Sequence, residues 1–209
     1  MSCKFVIGTA PELGWIASAW REAAPALQIV EVLLEADDGA VAALARALAG
    51  ARASAGDSAF LVWGTQHLNM RRLELMGVVK SLGLAMPPLL CGGAVVAASA
   101  TLSDNCYVGP GAVIGADCRI GHNVHIGAAA VVGSGCSVGH SAHIEDGAQL
   151  GRGVTLAAHV SIGLGVIIAH AVSVGKFSIV DKPGCYRADI AAKSFRHASH
   201  AHPIIVVGS

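Results

Sequence analysis

The chain has 209 residues, a formal net charge of zero and only 13% charged residues, without a stripe of Lys and Arg. This balance argues against nucleic acid or an anionic membrane as the main partner. Apolar residues reach 54%, but Gly, Ser, Asp or His interrupts them before any run approaches the roughly 18 residues of a spanning helix. The N-terminal residues MSCKFVIG do not resemble a signal peptide, so we expect a cytoplasmic protein.

Residues 3–90 alternate between short apolar runs and segments with helical spacing. The runs CKFVIG, LQIVEVLLE and AFLVWG predict three strands, and WIASAWREAA, AVAALARALAGARA and HLNMRRLELMGVVKSLG predict three helices. This alternation is typical of a small parallel sheet of Rossmann type. Because Pro87-Pro88 ends the last helix, we predict an α/β domain over residues 1–90.

A repeat of six residues follows. A branched aliphatic opens each of 14 consecutive hexads, Gly follows it in nine of them, and the residue four positions after it is always Ala, Cys, Val or Ser. The aliphatic residues are Val96, Leu102, Val108, Ile114, Ile120, Ile126, Val132, Val138, Ile144, Leu150, Leu156, Ile162, Ile168 and Val174.

Packing explains this repeat. Each hexad is a short strand with a tight turn, the aliphatic points inward, the small residue fits the corner, and Gly relieves the turn backbone. Three hexads complete a triangular coil, so residues 18 apart lie above one another, and stacking stabilises the coils. We therefore predict a parallel β-helix over residues 91–180, followed by a C-terminal tail over residues 181–209. Its flat faces carry few charges, which predicts a homotrimer.

A Rossmann-like domain followed by a hexapeptide β-helix resembles the sialic-acid O-acetyltransferase / UDP-amino-sugar N-acetyltransferase family, which includes bacillosamine-pathway enzymes. The resemblance implies a left-handed β-helix. It also implies acetyl-CoA in the groove between two β-helices, a nucleotide-linked amino sugar on the N-terminal domain, and a histidine beside a carboxylate as the base.

The first loop of the family reads roughly Gly-x-Ser/Gly-Gly-His-Gly, and here the segment is GTAPELG from Gly8, with Glu12 nearest to the histidine. The acidic pair of the family that holds the nucleoside corresponds to Glu35 or to Asp37-Asp38, and the Gly after strand three corresponds to Gly64. The substrate-binding residues that the resemblance implies are Gly8, Ala10, Pro11, Glu12, Glu35 and Gly64.

The catalytic motif differs from that of the family. Gly133-Ser134 replaces the Glu-His pair, whereas the second family histidine, associated with acetyl-CoA, is retained as His143. The resemblance also places Leu164 and Lys193 at the cofactor. We take His143 and Ser134 as the catalytic candidates. His143 is either a general base or a donor to the oxyanion, and Ser134 is more simply a turn residue.

Losing the family base favours an amine acceptor, because a fraction of a sugar amine is already the free base and positioning supplies much of the acceleration. The function that we expect is therefore acyl transfer from acetyl-CoA to an amino sugar of a bacterial surface glycan. A catalytically degenerate scaffold and a γ-carbonic-anhydrase-like metalloenzyme are the alternatives. The second is disfavoured because the H-x4-H spacing that we associate with that class is absent, and we expect no bound metal.

Overall fold

The computed structural model describes residues 3–35, 39–51, 53, 56–62, 70–200 and 202–205. The chain forms two compact units, Met1–Leu89 and Leu90–Ser209. Within the described ranges, no helix is both long and apolar enough to cross a membrane.

The described part of the first unit contains three helices and three longer strands, and that of the second contains short strands of two or three residues. The helices are α1 Glu12–Ala23, α2 Ala40–Gly50 and α3 Met70–Ser81. The strands are β1 Cys3–Gly8, β2 Gln28–Leu33, β3 Ser58–Val62, β4 Leu89–Leu90, β5 Val95–Val96, β6 Thr101–Leu102, β7 Tyr107–Val108, β8 Val113–Ile114, β9 Arg119–Ile120, β10 His125–Ile126, β11 Val131–Val132, β12 Ser137–Val138, β13 His143–Ile144, β14 Gln149–Leu150, β15 Thr155–Leu156, β16 Ser161–Ile162, β17 Ile167–Ile168, β18 Ser173–Val174, β19 Ile179–Val180, β20 Cys185–Tyr186, β21 Ser194–Arg196 and β22 Ile204–Ile205.

The first unit is a parallel sheet in the order β2-β1-β3. The central strand β1 is covered on both faces, so Phe5, Val6 and Ile7 are all buried. Phe5 and Ile7 pack in one cluster with Leu44 of α2 and Leu75 of α3. The α/β character expected from the alternating pattern is confirmed.

Lys4 breaks the apolar pattern of that sheet. Its residue surface is 1% exposed, and its Nζ lies 4.1 Å from the centroid of the Trp20 ring without a hydrogen-bond partner among the described residues. Burial disfavours the charged ammonium and lowers the pKa of Lys4 to about 8. The indole face supplies part of the lost solvation, since its π electrons attract a cation.

The second unit is the predicted parallel β-helix. Its strands form three sheets, which we name face 1 (β22-β21-β19-β16-β13-β10-β7-β4), face 2 (β20-β17-β14-β11-β8-β5) and face 3 (β18-β15-β12-β9-β6). Partners lie 18 residues apart, as in His125↔His143 and Val131↔Gln149. The second residue of every strand from β7 to β19 is buried, so the hexad aliphatics form one continuous apolar column with the small corner residues.

The glycine that follows nine of the 14 aliphatics has a steric reason. A Cβ on Gly133 would lie 2.8 Å from the backbone N of Arg152, and one on Gly127 would lie 2.5 Å from that of Asp146. Both positions meet the backbone of the next coil, so a side chain there forces the coils to adjust. The sequence rule for this position is therefore a packing rule.

The β-helix pairing extends past the predicted boundary at residue 180. Strand β20 pairs with β17, β21 pairs with β19, and β22 turns back to pair antiparallel with β21. The segment 181–209 that we assigned to a tail therefore carries three strands. His197 in this segment stacks on Phe195, with ring centroids 5.7 Å apart.

Candidate active site

Aromatic rings form a ladder on the outer side of face 1. Tyr107, His125 and His143 occupy the same outward position in three successive coils. The rings of Tyr107 and His125 stack with centroids 4.5 Å apart, and those of His125 and His143 stack at 4.3 Å with an interplanar angle of 4°. The 18-residue spacing predicted the histidine stack, and the structure contains it.

Glu145 completes the end of this ladder. Nε2 of His143 lies 3.0 Å from Oε1 of Glu145. The hydrogen bond from His143 lowers the pKa of Glu145, although burial opposes the shift. An ionised carboxylate only accepts hydrogen bonds, so Nε2 carries the hydrogen in this arrangement.

The two nitrogens of the imidazole differ in access. Nδ1 of His143 is enclosed and has no hydrogen-bond partner among the described residues. The His143 side chain is 9% exposed in total, whereas the Glu145 side chain is 42% exposed. The pair therefore presents Nε2–H as its donor and the carboxylate of Glu145 as its reachable acceptor.

The turn that carries Glu145 lies between faces 1 and 2, and we call the turn residues 145–147 and 163–165 the Glu145 corner. Successive coils place Glu145 beside Gly163 and Asp146 beside Leu164, and the N–H of Gly165 donates to the carbonyl of Asp146 at 3.1 Å. Leu164 is 68% exposed. The structure thus brings Leu164, predicted at the cofactor, to the same corner as the His143–Glu145 pair.

Ser134 lies elsewhere. It follows β11 of face 2 and precedes β12 of face 3, whereas His143 lies in β13 of face 1. The Ser134 residue is exposed, and its carbonyl accepts a hydrogen bond from the N–H of Gly153 at 3.0 Å, which is ordinary coil pairing. Within one chain, the two catalytic candidates are not brought together.

Lys193 lies in the turn before β21. Its residue is half-buried, and its N–H donates to the carbonyl of Lys176 at 2.8 Å. Its φ of 58° is the left-handed turn conformation that the other coils also use. The structure shows no contact between this lysine and the His143–Glu145 pair.

The predicted nucleotide site is partly described. Gly8 ends β1, where a Cβ would collide with the carbonyl of Val62, so only glycine fits. Ala10 and Pro11 form the turn into α1, and Oγ1 of Thr9 donates to Oε2 of Glu12 at 3.5 Å. Glu35 is exposed just after β2, and the N–H of Leu34 donates to the carbonyl of Gly8 at 2.9 Å. Asp37, Asp38 and Gly64 lie outside the described residues.

A polar column fills the corner before face 1. Nδ2 of Asn105 donates to Oδ1 of Asn123 at 2.7 Å, and Nδ2 of Asn123 donates to Oγ of Ser141 at 3.3 Å. His159 continues the column, 4.9 Å edge to face from His140. Burial lowers the pKa of His140, with smaller contributions from His159 and His122.

In the part of the chain that the structure describes, no group of three His, Cys, Asp or Glu side chains could hold a metal ion.

Comparisons with known proteins support this architecture. Residues 99–134 match the family described as "Bacterial transferase hexapeptide (six repeats)". A comparison with curated protein sequences found no significant match.

Several solved structures have the same fold over nearly the whole chain. One is a histidine-to-asparagine variant of perosamine N-acetyltransferase from Caulobacter crescentus in complex with CoA and GDP-perosamine, with 23% identity, a TM-score of 0.81 and coverage of 98% of this chain and 97% of that one. Another is the acetyltransferase domain of PglB from Neisseria gonorrhoeae in complex with acetyl coenzyme A, with 20% identity, a TM-score of 0.80 and coverage of 98% and 100%. WeeI from Acinetobacter baumannii has 15% identity, a TM-score of 0.80 and coverage of 98% and 100%. At these identities, the likeness establishes the fold.

Sequence reasoning missed Glu145. The signal was present in the hexads, because the residue after the aliphatic is Gly, Ala or Ser in the other 13 repeats and Glu only here. A second signal was the spacing, since residues i and i+2 of an extended segment point to the same side. His143 and Glu145 have that spacing.

Proposed function

We propose that the protein transfers an acyl group from acyl-CoA, most simply acetyl-CoA, to the amino group of a nucleotide-linked sugar used in bacterial surface-glycan synthesis. The observation that carries the proposal is the His143–Glu145 pair, with its donor and acceptor 3.0 Å apart beside an exposed turn. The hexapeptide repeat and the fold shared with sugar N-acetyltransferases support the reaction class.

His143 acts on the thioester in this proposal. Acyl transfer places negative charge on the carbonyl oxygen as the tetrahedral adduct forms, and a preorganised N–H at that oxygen lowers the barrier. Nε2–H of His143 is such a donor, and stacking on His125 at 4.3 Å holds its ring in place. Because Nδ1 is enclosed, the donor role favours His143 over the alternative of a free general base.

The cofactor and the sugar approach along two parts of the molecule. We place the apolar part of the acyl-CoA arm on Leu164, whose exposed side chain shares the corner with Glu145, and we keep Lys193 as a cofactor contact. In this proposal the nucleotide lies over the loop from Gly8 to Glu12 with Glu35 nearby, because parallel sheets bind ligands at the carboxyl ends of their strands. Gly64 stays a proposed contact from the resemblance alone, since it lies outside the described residues. Glu12→Gln tests this placement better than a Gly8 variant, since Gly8 has no room for a side chain.

Assembly as a homotrimer belongs to the same proposal. Val95, Val113, Val131 and Ile167 form an exposed apolar column on face 2, interrupted by Gln149. A second copy of the chain would cover this column, and a cyclic arrangement closes such contacts. Light scattering should give a trimer at micromolar concentration, and Val131→Lys should shift it towards monomer. A monomeric wild type would count against active sites shared between subunits.

Activity of the wild type separates the possible functions. We would incubate the protein with acetyl-CoA and a panel of nucleotide-linked amino sugars, matched with the corresponding hydroxyl sugars, and measure release of the CoA thiol. Acylation of an amino sugar, with little turnover of its hydroxyl counterpart, supports the proposal. Binding of acetyl-CoA in calorimetry without turnover of any panel member would put the substrate class in doubt. Absence of binding would favour a scaffold, and a stoichiometric metal in elemental analysis would favour the metalloenzyme.

A further inference from the structure

Glu145 stands at a position that the fold reserves for very small residues. The other 13 hexads have Gly, Ala or Ser after the aliphatic, and at the glycine positions even a Cβ would meet atoms of the next coil. The glutamate lies between glycines, Gly127 in the preceding coil and Gly163 in the following one. A residue that violates a packing rule of its own fold without an evident structural gain is a candidate for function.

The surroundings of Glu145 leave its carboxylate usable by a ligand. A Cβ on Gly127 would meet Oδ1 of Asp146, and one on Gly163 would meet Oδ1 of Asp181, so the carboxylate of Glu145 is reached from its solvent-exposed side. The Glu145 side chain keeps 42% of its surface exposed while Oε1 contacts Nε2 of His143. The neighbouring charged group, Asp146, is engaged differently, since its Oδ1 accepts the N–H of Ala128 at 2.6 Å.

We infer that Glu145 is the proton acceptor for the attacking amine, taking the place of the base that Gly133-Ser134 cannot supply. This inference rests on the proposed acyltransferase function and names a further catalytic residue for it. In the proposed complex the partly exposed Glu145 side chain moves away from Nε2 to receive the N–H of the acceptor amine, and this frees Nε2–H of the fixed His143 ring to donate to the thioester oxygen.

The amine nitrogen forms a bond to the carbonyl carbon, and the carbonyl electron pair moves to oxygen, where Nε2–H donates to it. The nitrogen of this adduct is positively charged and strongly acidic, so even a weakly basic carboxylate removes its proton. The C–S bond then breaks, the electron pair on oxygen re-forms the carbonyl, and the proton passes from Glu145 to the departing thiolate. The products are the amide and the free thiol of CoA.

The charge of Glu145 also predicts a preference for amines. Its pKa lies below the ordinary 4.5, with the hydrogen bond from His143 as the main cause, so the group is anionic at neutral pH. An anionic carboxylate attracts the cationic form of a sugar amine and has no such attraction for a hydroxyl. It is too weak a base to deprotonate a hydroxyl efficiently, because proton transfer favours matched pKa values.

The repeat offers a variant that should fold. Glu145→Gly restores the commonest residue at this position, and Asp117→Gly, at an exposed turn elsewhere on the β-helix, is the matched control. We expect Glu145→Gly and Glu145→Gln each to lower kcat for the amine by about tenfold or more, with the KM for acetyl-CoA within about twofold of wild type. Added formate should restore part of the activity of Glu145→Gly, since it supplies a carboxylate to the vacated space, and should leave Glu145→Gln and Asp117→Gly unchanged.

The inference fails if an active wild type keeps its kcat in both Glu145 variants, or if formate does not raise the activity of an impaired Glu145→Gly variant. The first result would leave the proposed function intact, and the second would reduce Glu145 to a structural partner of His143. An inactive wild type overturns the proposed function, and the inference with it.

Discussion

Two turns of the same β-helix have the same place in their hexads and opposite character. Gly133-Ser134-Gly135 follows an aliphatic on face 2 and obeys the repeat, whereas Glu145-Asp146-Gly147 follows an aliphatic on face 1 and breaks it. Gly135 and Gly147 both adopt a positive φ, so the backbone path is shared. What differs is the side chain that the first residue of the turn presents to solvent.

This contrast shows how the functional site of a repeat protein can be recognised from its sequence. Regular hexads specify the scaffold, and a position that departs from them while keeping the backbone is where a side chain can serve another purpose. In the family that this chain resembles, the base lies at the position of Gly133-Ser134. In this chain, the turn that departs from the repeat is the one that begins at Glu145.

Placing a glutamate at Gly133 tests whether the two turns really differ in their tolerance of side chains. Gly133→Glu should lower the free energy of unfolding by about 1–3 kcal/mol, the usual cost of forcing extra atoms into a packed region. The reason is that its Cβ would meet the backbone of Gly151 and Arg152 at 2.8 Å. Chemical denaturation measures the loss, with Ser134→Ala as the neutral comparison. An unchanged midpoint would show that the turn tolerates side chains and that Glu145 is no exception.

Lys4 is a second residue that departs from the pattern around it, but unlike Glu145 it is buried and a ligand in solvent cannot reach it. Lys4→Met should raise the free energy of unfolding by about 1–2 kcal/mol at neutral pH, since an apolar residue replaces a buried unpaired cation. The folded pKa of about 8 lies below the ordinary lysine pKa of 10.5, so the unfolded chain binds more protons between these two pH values. Wild-type stability should therefore rise between pH 8 and 10.5, and the variant should lack that rise. A destabilised Lys4→Met would mean that the cation is needed.

Lowering the pH should reveal the contribution of Glu145 to the free energy of unfolding, which is smaller than that expected for Lys4. A carboxylate whose folded pKa is lowered stabilises the protein above its ordinary pKa of 4.5 and loses that contribution as the pH falls through the lower folded value. The partly exposed pair contributes at most about 1 kcal/mol. Wild type should exceed Glu145→Gln in stability at pH 6, and the difference should vanish in strong acid. Equal stabilities at pH 6 would mean that the 3.0 Å contact does not stabilise the fold in solution.

Much of the fold was predictable from the residues, because hexad spacing fixes which side chains point inward and which lie above one another. The His125–His143 stack follows from a spacing of 18 alone. The link between His143 and Glu145 was harder to predict, since it depends on a side-chain rotamer at a turn. The extent of the β-helix was also underestimated, because β20 has Tyr186 where the other hexads have an aliphatic, and β21 pairs with β19 at a spacing of 16 residues instead of 18.

The central claim is that acyl transfer occurs at the Glu145 corner and not at Ser134. The direct measurement is kcat of His143→Ala and Ser134→Ala side by side, with acetyl-CoA and the best amino-sugar acceptor, after the assembly of each variant has been checked. His122→Ala, an exposed corner histidine, is the control. We predict a loss of at least about tenfold for His143→Ala, since an oxyanion donor is removed, and less than about twofold for Ser134→Ala and His122→Ala. A silent His143→Ala together with an inactive Ser134→Ala would contradict the account.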